Sequence, residues 1–118
     1  MLPLAVERTS NDGVELLLVA GELDIATAPR LITALNGAVQ EALRSLVVDL
    51  SRVDFMDSTG LALLINAHRR LTRRSKGFAV VCPPGPLRRV FEVTDMVDTL
   101  HVCPDRVTAE AAAVPAAA

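Results

Sequence analysis

The feature that most constrains the fold is a series of short apolar runs separated by longer segments of helical periodicity. The runs that have the length and aliphatic character of buried strands are Val14–Ala20, Leu46–Leu50, Phe78–Cys82 and Leu100–Cys103. A partly alternating segment, Leu4–Arg8, precedes them across a Ser-Asn-Asp-Gly turn, which predicts an opening hairpin. Strands that alternate with helices favour a single α/β domain with a largely parallel sheet.

The segments between these runs predict about four helices. Thr27 is a suitable N-cap for the first, and Pro29 falls in its first turn, where a missing N–H costs nothing. The second helix is predicted over Ser58–Arg74, after a loop over Ser51–Asp57. The remaining two are predicted over Leu87–Val93 and after a cap at Asp105 or Thr108. The domain is expected to occupy residues 4–113, with an Ala-rich tail over residues 114–118.

Composition and charge disfavour several classes of partner. Aromatic residues make up 3% of the chain, without Trp or Tyr, so a stacking platform for single-stranded nucleic acid is not expected. The net charge of -2 does not indicate the positively charged surface that binding to duplex DNA requires. No apolar stretch approaches the roughly 20 residues of a transmembrane helix, and no signal-peptide pattern opens the chain. We therefore expect a cytoplasmic protein, with a monomer favoured.

The cysteine pattern predicts no cofactor or metal site. Cys82 and Cys103 each end a predicted strand, and in the cytosol we expect two free thiols. Whether the two lie close together stays open at this stage. The chain has no Cys/His spacing of the zinc-binding kind and no glycine-rich nucleotide loop.

Polar residues are concentrated after two of the predicted strands. Asp24 follows Val14–Ala20, and Asp57-Ser58-Thr59-Gly60 follows Leu46–Leu50. If these strands are parallel neighbours, both segments meet at the carboxyl edge of the sheet, where functional groups collect. Ser58, at the start of a helix, is interpreted either as an N-cap or as the acceptor of a phosphoryl group. A phosphate there would add about 1.5 to 2 negative charges beside Asp57.

Neighbouring residues also allow two interpretations. Asp24 either caps or precedes the first helix, or forms a hydrogen bond near Ser58 that orients the loop, and the two roles are compatible. A carboxylate at Asp57 is favourable beside a helix N-terminus in any case. Leu63 is either an isolated surface leucine or part of a partner-binding patch. The candidate patch comprises Leu61, Ala62, Leu63 and Asn66.

The arginines of the second helix and its one histidine favour structural roles. Arg69, Arg70, Arg73 and Arg74 are typical of a solvated face near a helix C-terminus, with an acidic partner or nucleic acid as the alternative. His68 lies roughly 15 Å along the helix from Ser58, too far to be its base. The spacing does not exclude His101 as the base for Ser58. The chain lacks the Gly-x-Ser-x-Gly motif of the nucleophile elbow, however, so an enzyme with a serine nucleophile is disfavoured.

Two segments carry a resemblance to a known family. Gly21–Thr27 resembles the first signature of the STAS-domain anti-sigma factor antagonists, and Phe55–Leu61, following Val48–Leu50, resembles the second. The order and spacing of the elements from about Leu4 to Val107 are similar as well, so the resemblance covers nearly the whole chain. It implies that the family's phosphorylatable serine falls on Ser58 and its acidic residues on Asp24 and Asp57, with Thr59 and Gly60 completing the segment.

The resemblance also implies a function. Unphosphorylated members bind an anti-sigma factor that is itself a serine kinase, which frees the sigma factor to join RNA polymerase. Phosphorylation of the serine with ATP weakens this binding, and a PP2C-type phosphatase reverses it, so the protein is a switch and not an enzyme. The alternative is a STAS subunit of a stress-sensing or lipid-transport complex.

The chain departs from the family pattern at two places. It has Asp95-Met96 where relatives commonly have Gly-Leu after the short third helix. The turn at this point is therefore not expected to follow the family pattern. Thr59 replaces the serine of many members, which leaves a second hydroxyl next to Ser58.

Overall fold

The structure is a computed structural model that describes residues 4–115, and these form a five-stranded sheet with helices on both faces. The strands are β1 Ala5–Asn11, β2 Val14–Leu23, β3 Ser45–Met56, β4 Gly77–Val81 and β5 Val102–Cys103. The helices are α1 Ala28–Glu41, α2 Ser58–Arg73, α3 Pro86–Val93 and α4 Arg106–Ala112. The strands lie in chain order across the sheet; β1 is antiparallel to β2, and the later pairs are parallel. The predicted α/β class and opening hairpin are confirmed.

β2 and β3 are longer than the apolar runs indicated, and the predicted loop over Ser51–Asp57 is wrong. β2 continues through Gly21 to Leu23, and β3 continues beside it, with Leu23 paired to Met56. Register shifts flank Ala20 and Gly21, and Gly21 has a φ of 112°, which a glycine adopts without strain. The sequence hides this strand because several of its residues past Leu50 are exposed, which interrupts the apolar pattern.

Two apolar layers hold the helices on the sheet. The larger one packs α1, α2 and α3 against one face, with Leu64, Phe78 and Phe91 at most 2% exposed. Burying each such side chain contributes about 1.5 to 3 kcal/mol to stability. On the opposite face, α4 packs against β3, β4 and β5, with Ala109 and the residue after the helix, Ala113, buried in this smaller layer. The larger layer fixes the helix that carries Ser58.

Cys82 directly follows β4 and Cys103 ends the neighbouring β5, and their side chains lie on opposite faces of the sheet. The Cys82 N–H donates to the Cys103 carbonyl at 2.8 Å, while the Cys82 side chain belongs to the larger apolar layer and the Cys103 side chain to the smaller one. Burial raises the pKa of the Cys82 thiol to about 11, which keeps it protonated at neutral pH. The prediction of two free thiols is confirmed within the described residues.

The C-terminal segment is described only in part. α4 ends at Ala112, and residues 116–118 of the predicted tail lie outside the described residues. Asp105, rather than Thr108, caps α4, because its carboxylate accepts from the Thr108 N–H at 2.8 Å. Across residues 4–115, none of the helices has both the length and the apolar character needed to cross a membrane.

Candidate functional site

The two polar segments that follow β2 and β3 meet at the carboxyl edge of the sheet, as predicted. Leu23 pairs with Met56 at the ends of the strands, and the Asp57 N–H donates to the Leu23 carbonyl at 3.2 Å. Asp24 and the Asp57–Gly60 segment are therefore direct continuations of two hydrogen-bonded strands. We call the end of these two strands, which carries Asp24, Ile25, Phe55 and Ser58, the switch edge.

Asp57 caps α2, so the interpretation of Ser58 as the N-cap is wrong. Asp57 has extended backbone, with φ -97° and ψ -172°, and its Oδ1 accepts from the Thr59 N–H at 2.9 Å and the Gly60 N–H at 3.4 Å. Ser58 is therefore the first helical residue. Its side chain is exposed, and its hydroxyl forms no hydrogen bond to the rest of residues 4–115. This hydroxyl is free for chemistry with a partner.

Gly60 brings the start of α2 close to the strand ends. A Cβ at this position would lie 2.5 Å from Met56 Cγ and 2.7 Å from Leu23 Cδ2. Both neighbours are buried in the core, so they have little room to move. The absence of a side chain at Gly60 thus fixes the height of Ser58 above the sheet edge.

Asp24 orders the turn between β2 and α1. Its Oδ1 accepts from the Ala26 N–H at 2.9 Å and the Thr27 N–H at 3.0 Å. Thr27 is the N-cap residue by position, but its hydroxyl donates to the Glu22 carbonyl at 2.8 Å instead of capping α1. Of the two interpretations of Asp24, the structure favours the one that organises the approach to α1. Pro29 lies in the first turn as predicted.

The switch edge combines apolar side chains with negative charge. Ile25 is 78% exposed and Phe55 is 50% exposed. The carboxylates of the two strand ends and the loops after them are Glu22, Asp24, Asp54 and Asp57. The sequence patterns did not single out Ile25 or Phe55; the only signal was an aromatic residue in a stretch interpreted as a loop.

The candidate patch on α2 is divided by burial. Ala62 and Asn66 are exposed, whereas Leu61 is buried in the core. Leu63 is half-buried and packs against the larger apolar layer, at the cleft between α1 and α2. A partner can therefore reach Ala62, Leu63 and Asn66, whereas Leu61 is part of the core that holds the helix in place.

Neither histidine lies near Ser58. His68 packs its ring against Phe78 at a centroid distance of 5.8 Å, and burial, with the charges of His101 and Arg69, lowers its pKa. His101 Nδ1 lies 2.9 Å from the Phe78 carbonyl. Phe78 pairs with Leu46 near the start of β3, about 30 Å by strand rise from the end of that strand where Ser58 follows.

Comparison with known proteins agrees with this geometry. The family model of the STAS domain matches residues 5–109. The anti-sigma-B factor antagonist of Staphylococcus aureus is 34% identical over 99 residues, covering 84% of this chain and 92% of the relative. Its counterpart from Staphylococcus epidermidis is 32% identical with the same coverage.

Solved structures share the fold. An anti-sigma factor antagonist from Mycobacterium paratuberculosis superposes with a TM-score of 0.85 at 32% identity, covering 93% of each chain. SpoIIAA of Bacillus in its phosphorylated form gives a TM-score of 0.63 at 21% identity, covering 86% of this chain and 93% of that one, and shows likeness of fold alone. The chain therefore belongs to the STAS domain family, as its two signature segments indicated.

Proposed function

We propose that this chain is an anti-sigma factor antagonist whose switch edge binds an anti-sigma factor while Ser58 is unphosphorylated. The observation that carries the proposal is an exposed serine hydroxyl at the start of α2, at the end of the sheet that also carries exposed Ile25 and Phe55. Exposed apolar side chains that adjoin polar groups are typical of a protein-binding surface. The Staphylococcus relative is an anti-sigma-B factor antagonist and the Mycobacterium relative an anti-sigma factor antagonist, which supports the same role.

The hydrogen bonds of Asp57 support a switch that acts through charge. In a helix without a cap, a phosphate on the first residue could bind the free N–H groups of the first turn. Here the Asp57 carboxylate already accepts from Thr59 and Gly60. A phosphoryl group on Ser58 would instead remain in solvent beside two carboxylates, Asp57 and Asp24. A partner covering this edge would then have to desolvate about 1.5 to 2 added charges, which opposes binding.

Burial favours Ser58 over Thr59 as the phosphoacceptor. Ser58 is exposed, whereas Thr59 is half-buried beside the cap. A kinase must place the acceptor hydroxyl in line with a γ-phosphate, which requires an accessible side chain. We infer that Thr59 supports the start of the helix, together with Gly60.

The remaining parts of the proposal follow from the family. The partner that covers Ser58 is an anti-sigma factor with serine kinase activity, and a PP2C-type phosphatase restores the binding form. The chain itself acts in the cytoplasm as a switch without catalysis of its own. The long separation of both histidines from Ser58 supports this, since a serine nucleophile needs a base within hydrogen-bond reach.

Three variants test the proposal against a purified anti-sigma factor kinase from the same organism. Ser58→Asp is expected to weaken binding by at least about tenfold, since a buried interface must then desolvate a charge. Ser58→Ala is expected to bind with the affinity of the unmodified protein and to stay bound to the anti-sigma factor when ATP is added. Thr59→Ala is the matched control and is expected to keep ATP-dependent release. Wild-type affinity in Ser58→Asp, together with ATP-dependent release of Ser58→Ala, would contradict the proposal.

A further inference from the structure

Charge is segregated along α2. The helix contains no acidic residue over its 16 positions, and its basic residues, Arg69, Arg70 and Arg73, all lie in its last turns. Its first residue, Ser58, lies beside the carboxylates of the switch edge. By helix rise, the two ends of α2 are about 24 Å apart. A chain with a net charge of -2 therefore presents one acidic end and one basic end along a single helix.

A groove runs between these ends on the outer face of the helical layer. The cleft where α1 faces α2 has a volume of about 220 Å³ and is lined in part by Ile32, Leu63 and Asn66. An adjoining hollow on α2 shares Asn66 and extends past Ala62 to Arg69 and Arg73. Neither hollow is lined by a carboxylate. We call these two hollows the α1–α2 groove.

Three basic side chains at this end have structural partners. Arg70 Nη1 donates to Asn36 Oδ1 at 2.7 Å, and Arg74 Nη1 donates to the Val39 carbonyl at 3.1 Å. Lys76 Nζ donates to the Ala42 carbonyl. These contacts join the end of α2 to the end of α1 and place positive charge near the α1 C-terminus, where it is favourable.

Arg69 and Arg73 differ from the other three. Both are exposed, and within residues 4–115 neither forms a hydrogen bond or an ion pair through its side chain. They lie four positions apart, so they project from the same face of α2. Neither guanidinium group is therefore committed to a direct contact within these residues. In the adjoining cleft, which shares Asn66 with their hollow, Ile32 is 39% exposed and Leu63 is half-buried.

We propose that the α1–α2 groove docks an acidic segment of the anti-sigma factor, with an apolar side chain seated over Ile32 and Leu63. The occupant follows from charge complementarity: a groove with two uncommitted guanidinium groups and no carboxylate selects a segment that carries Asp or Glu. Ala62, which lines one of the hollows, lies about one helical turn after Ser58, so the groove begins close to the switch edge. The inference rests on the proposed function, because it assigns a second contact to the same partner.

The two contacts have separate tasks. At the switch edge, a phosphoryl group on Ser58 changes the affinity for the anti-sigma factor. The groove carries positive charge, from Arg69 and Arg73, at the other end of α2. Long-range attraction between the groove and an acidic segment accelerates association and fades as salt screens it. The groove thus sets how fast the partner is found, and Ser58 sets whether it stays bound.

Single charge reversals test the groove. Association and dissociation rates of the purified anti-sigma factor are measured for Arg69→Glu, Arg73→Glu and Arg52→Glu at about 0.03 M and about 0.5 M salt, where screening is weak and strong respectively. Arg52 is an exposed arginine of β3 that lines a cavity with Ala5, Glu7 and Arg106, so it is a matched control for charge. The groove variants are expected to associate about three- to tenfold more slowly than Arg52→Glu at low salt, with the difference largely lost at high salt. The thermal midpoint of each variant checks that it is folded.

The outcomes separate this inference from the proposed function. If Ser58→Asp weakens binding while both groove variants associate as fast as Arg52→Glu, the groove inference is overturned and the proposed function stands. If the wild-type protein binds no anti-sigma factor, the proposed function fails and the groove inference with it. If Arg69→Glu and Arg73→Glu associate more slowly than Arg52→Glu, and ATP still releases both groove variants as it releases the wild-type protein, the result supports the groove inference and the proposed function together.

Discussion

At the scale of single residues, Asp57 connects the stability of α2 to the chemistry of Ser58. Its carboxylate accepts from two N–H groups of the first turn, and the same carboxylate places negative charge beside the serine. These two effects are separable, because an amide oxygen can accept the same hydrogen bonds without the charge.

Replacing Asp57 distinguishes the cap from the charge. Asp57→Asn is expected to keep the cap and the stability of the protein within about 0.5 kcal/mol, whereas Asp57→Ala is expected to cost about 1 kcal/mol. Urea unfolding of the two variants measures this difference. Equal losses for Asn and Ala would mean that the charge and not the hydrogen bonds stabilises the start of α2.

The sequence predicted the polar residues of this edge, Asp24, Asp57 and Ser58, but not the part that each one has. The Asp-Ser-Thr-Gly segment is visible as a polar stretch before an apolar helix, and either Asp57 or Ser58 satisfies the usual preference for an N-cap. The choice depends on backbone angles that the strand pairing of β3 imposes on Asp57. Ile25 and Phe55 escaped prediction because the exposure of an apolar side chain is a property of the packed molecule.

At the scale of elements, two helices end with a backbone turn that normally takes glycine. After α3, the Met96 N–H donates to the Phe91 carbonyl at 2.8 Å and the Asp95 N–H to the Glu92 carbonyl at 3.1 Å, with Asp95 at a φ of 58°. This is the Schellman motif, whose left-handed residue is usually Gly. The turn is therefore formed although Asp95-Met96 replaces the Gly-Leu pair of relatives. α2 ends in the same way, with Ser75 at a φ of 56°.

Glycine at these positions is expected to stabilise the protein. Asp95→Gly removes the steric cost of the left-handed conformation, and we expect a gain of about 0.5 to 1 kcal/mol, or roughly 2 to 6 °C in the thermal midpoint. Asp98→Gly is the matched control, since Asp98 lies in the same loop without a positive φ, and it is expected to gain nothing. Calorimetry decides between the two; an equal or lower midpoint for Asp95→Gly would contradict the account of this turn.

Element boundaries were predictable where the apolar pattern was continuous. The cores of β2, β3 and β4 and most of α2 coincide with apolar runs and helical periodicity. The extension of β3 to Met56 was not predictable, because it depends on pairing with a bulged β2 and not on its own apolar content.

At the scale of the whole molecule, ionisable groups connect the layers of the fold. On the α4 face, Asp49 is 4% exposed; its Oδ1 accepts from the Ser51 hydroxyl at 2.6 Å and its Oδ2 from Arg106 Nε at 3.0 Å. Burial opposes ionisation of Asp49, but the bonds from Ser51 and the charge of Arg106 outweigh it and lower its pKa. On the other face, burial lowers the pKa of His68.

Both shifts predict loss of stability in acid. The unfolded chain binds a proton at His68 near its ordinary pKa of 6.5, whereas the folded protein resists it, so stability falls as the pH drops below about 6.5. Asp49 adds a second loss as the pH falls below 3.8 towards its lowered folded pKa. Urea unfolding between pH 7.5 and pH 5.5, in which range Asp49 stays ionised, is expected to show a decrease in the wild type that is smaller in His68→Leu. The same pH dependence in both proteins would contradict the assignment to His68.

The central claim is that one phosphoryl group on Ser58 separates a binding form from a released form of the same folded domain. The most direct measurement is the affinity of the purified anti-sigma factor for the unmodified protein and for protein carrying one phosphate, mapped to Ser58 by mass spectrometry. We predict tight binding of the unmodified protein and an affinity lower by at least about tenfold for the phosphorylated one, with unchanged thermal unfolding. Equal affinities for the two forms would contradict the account.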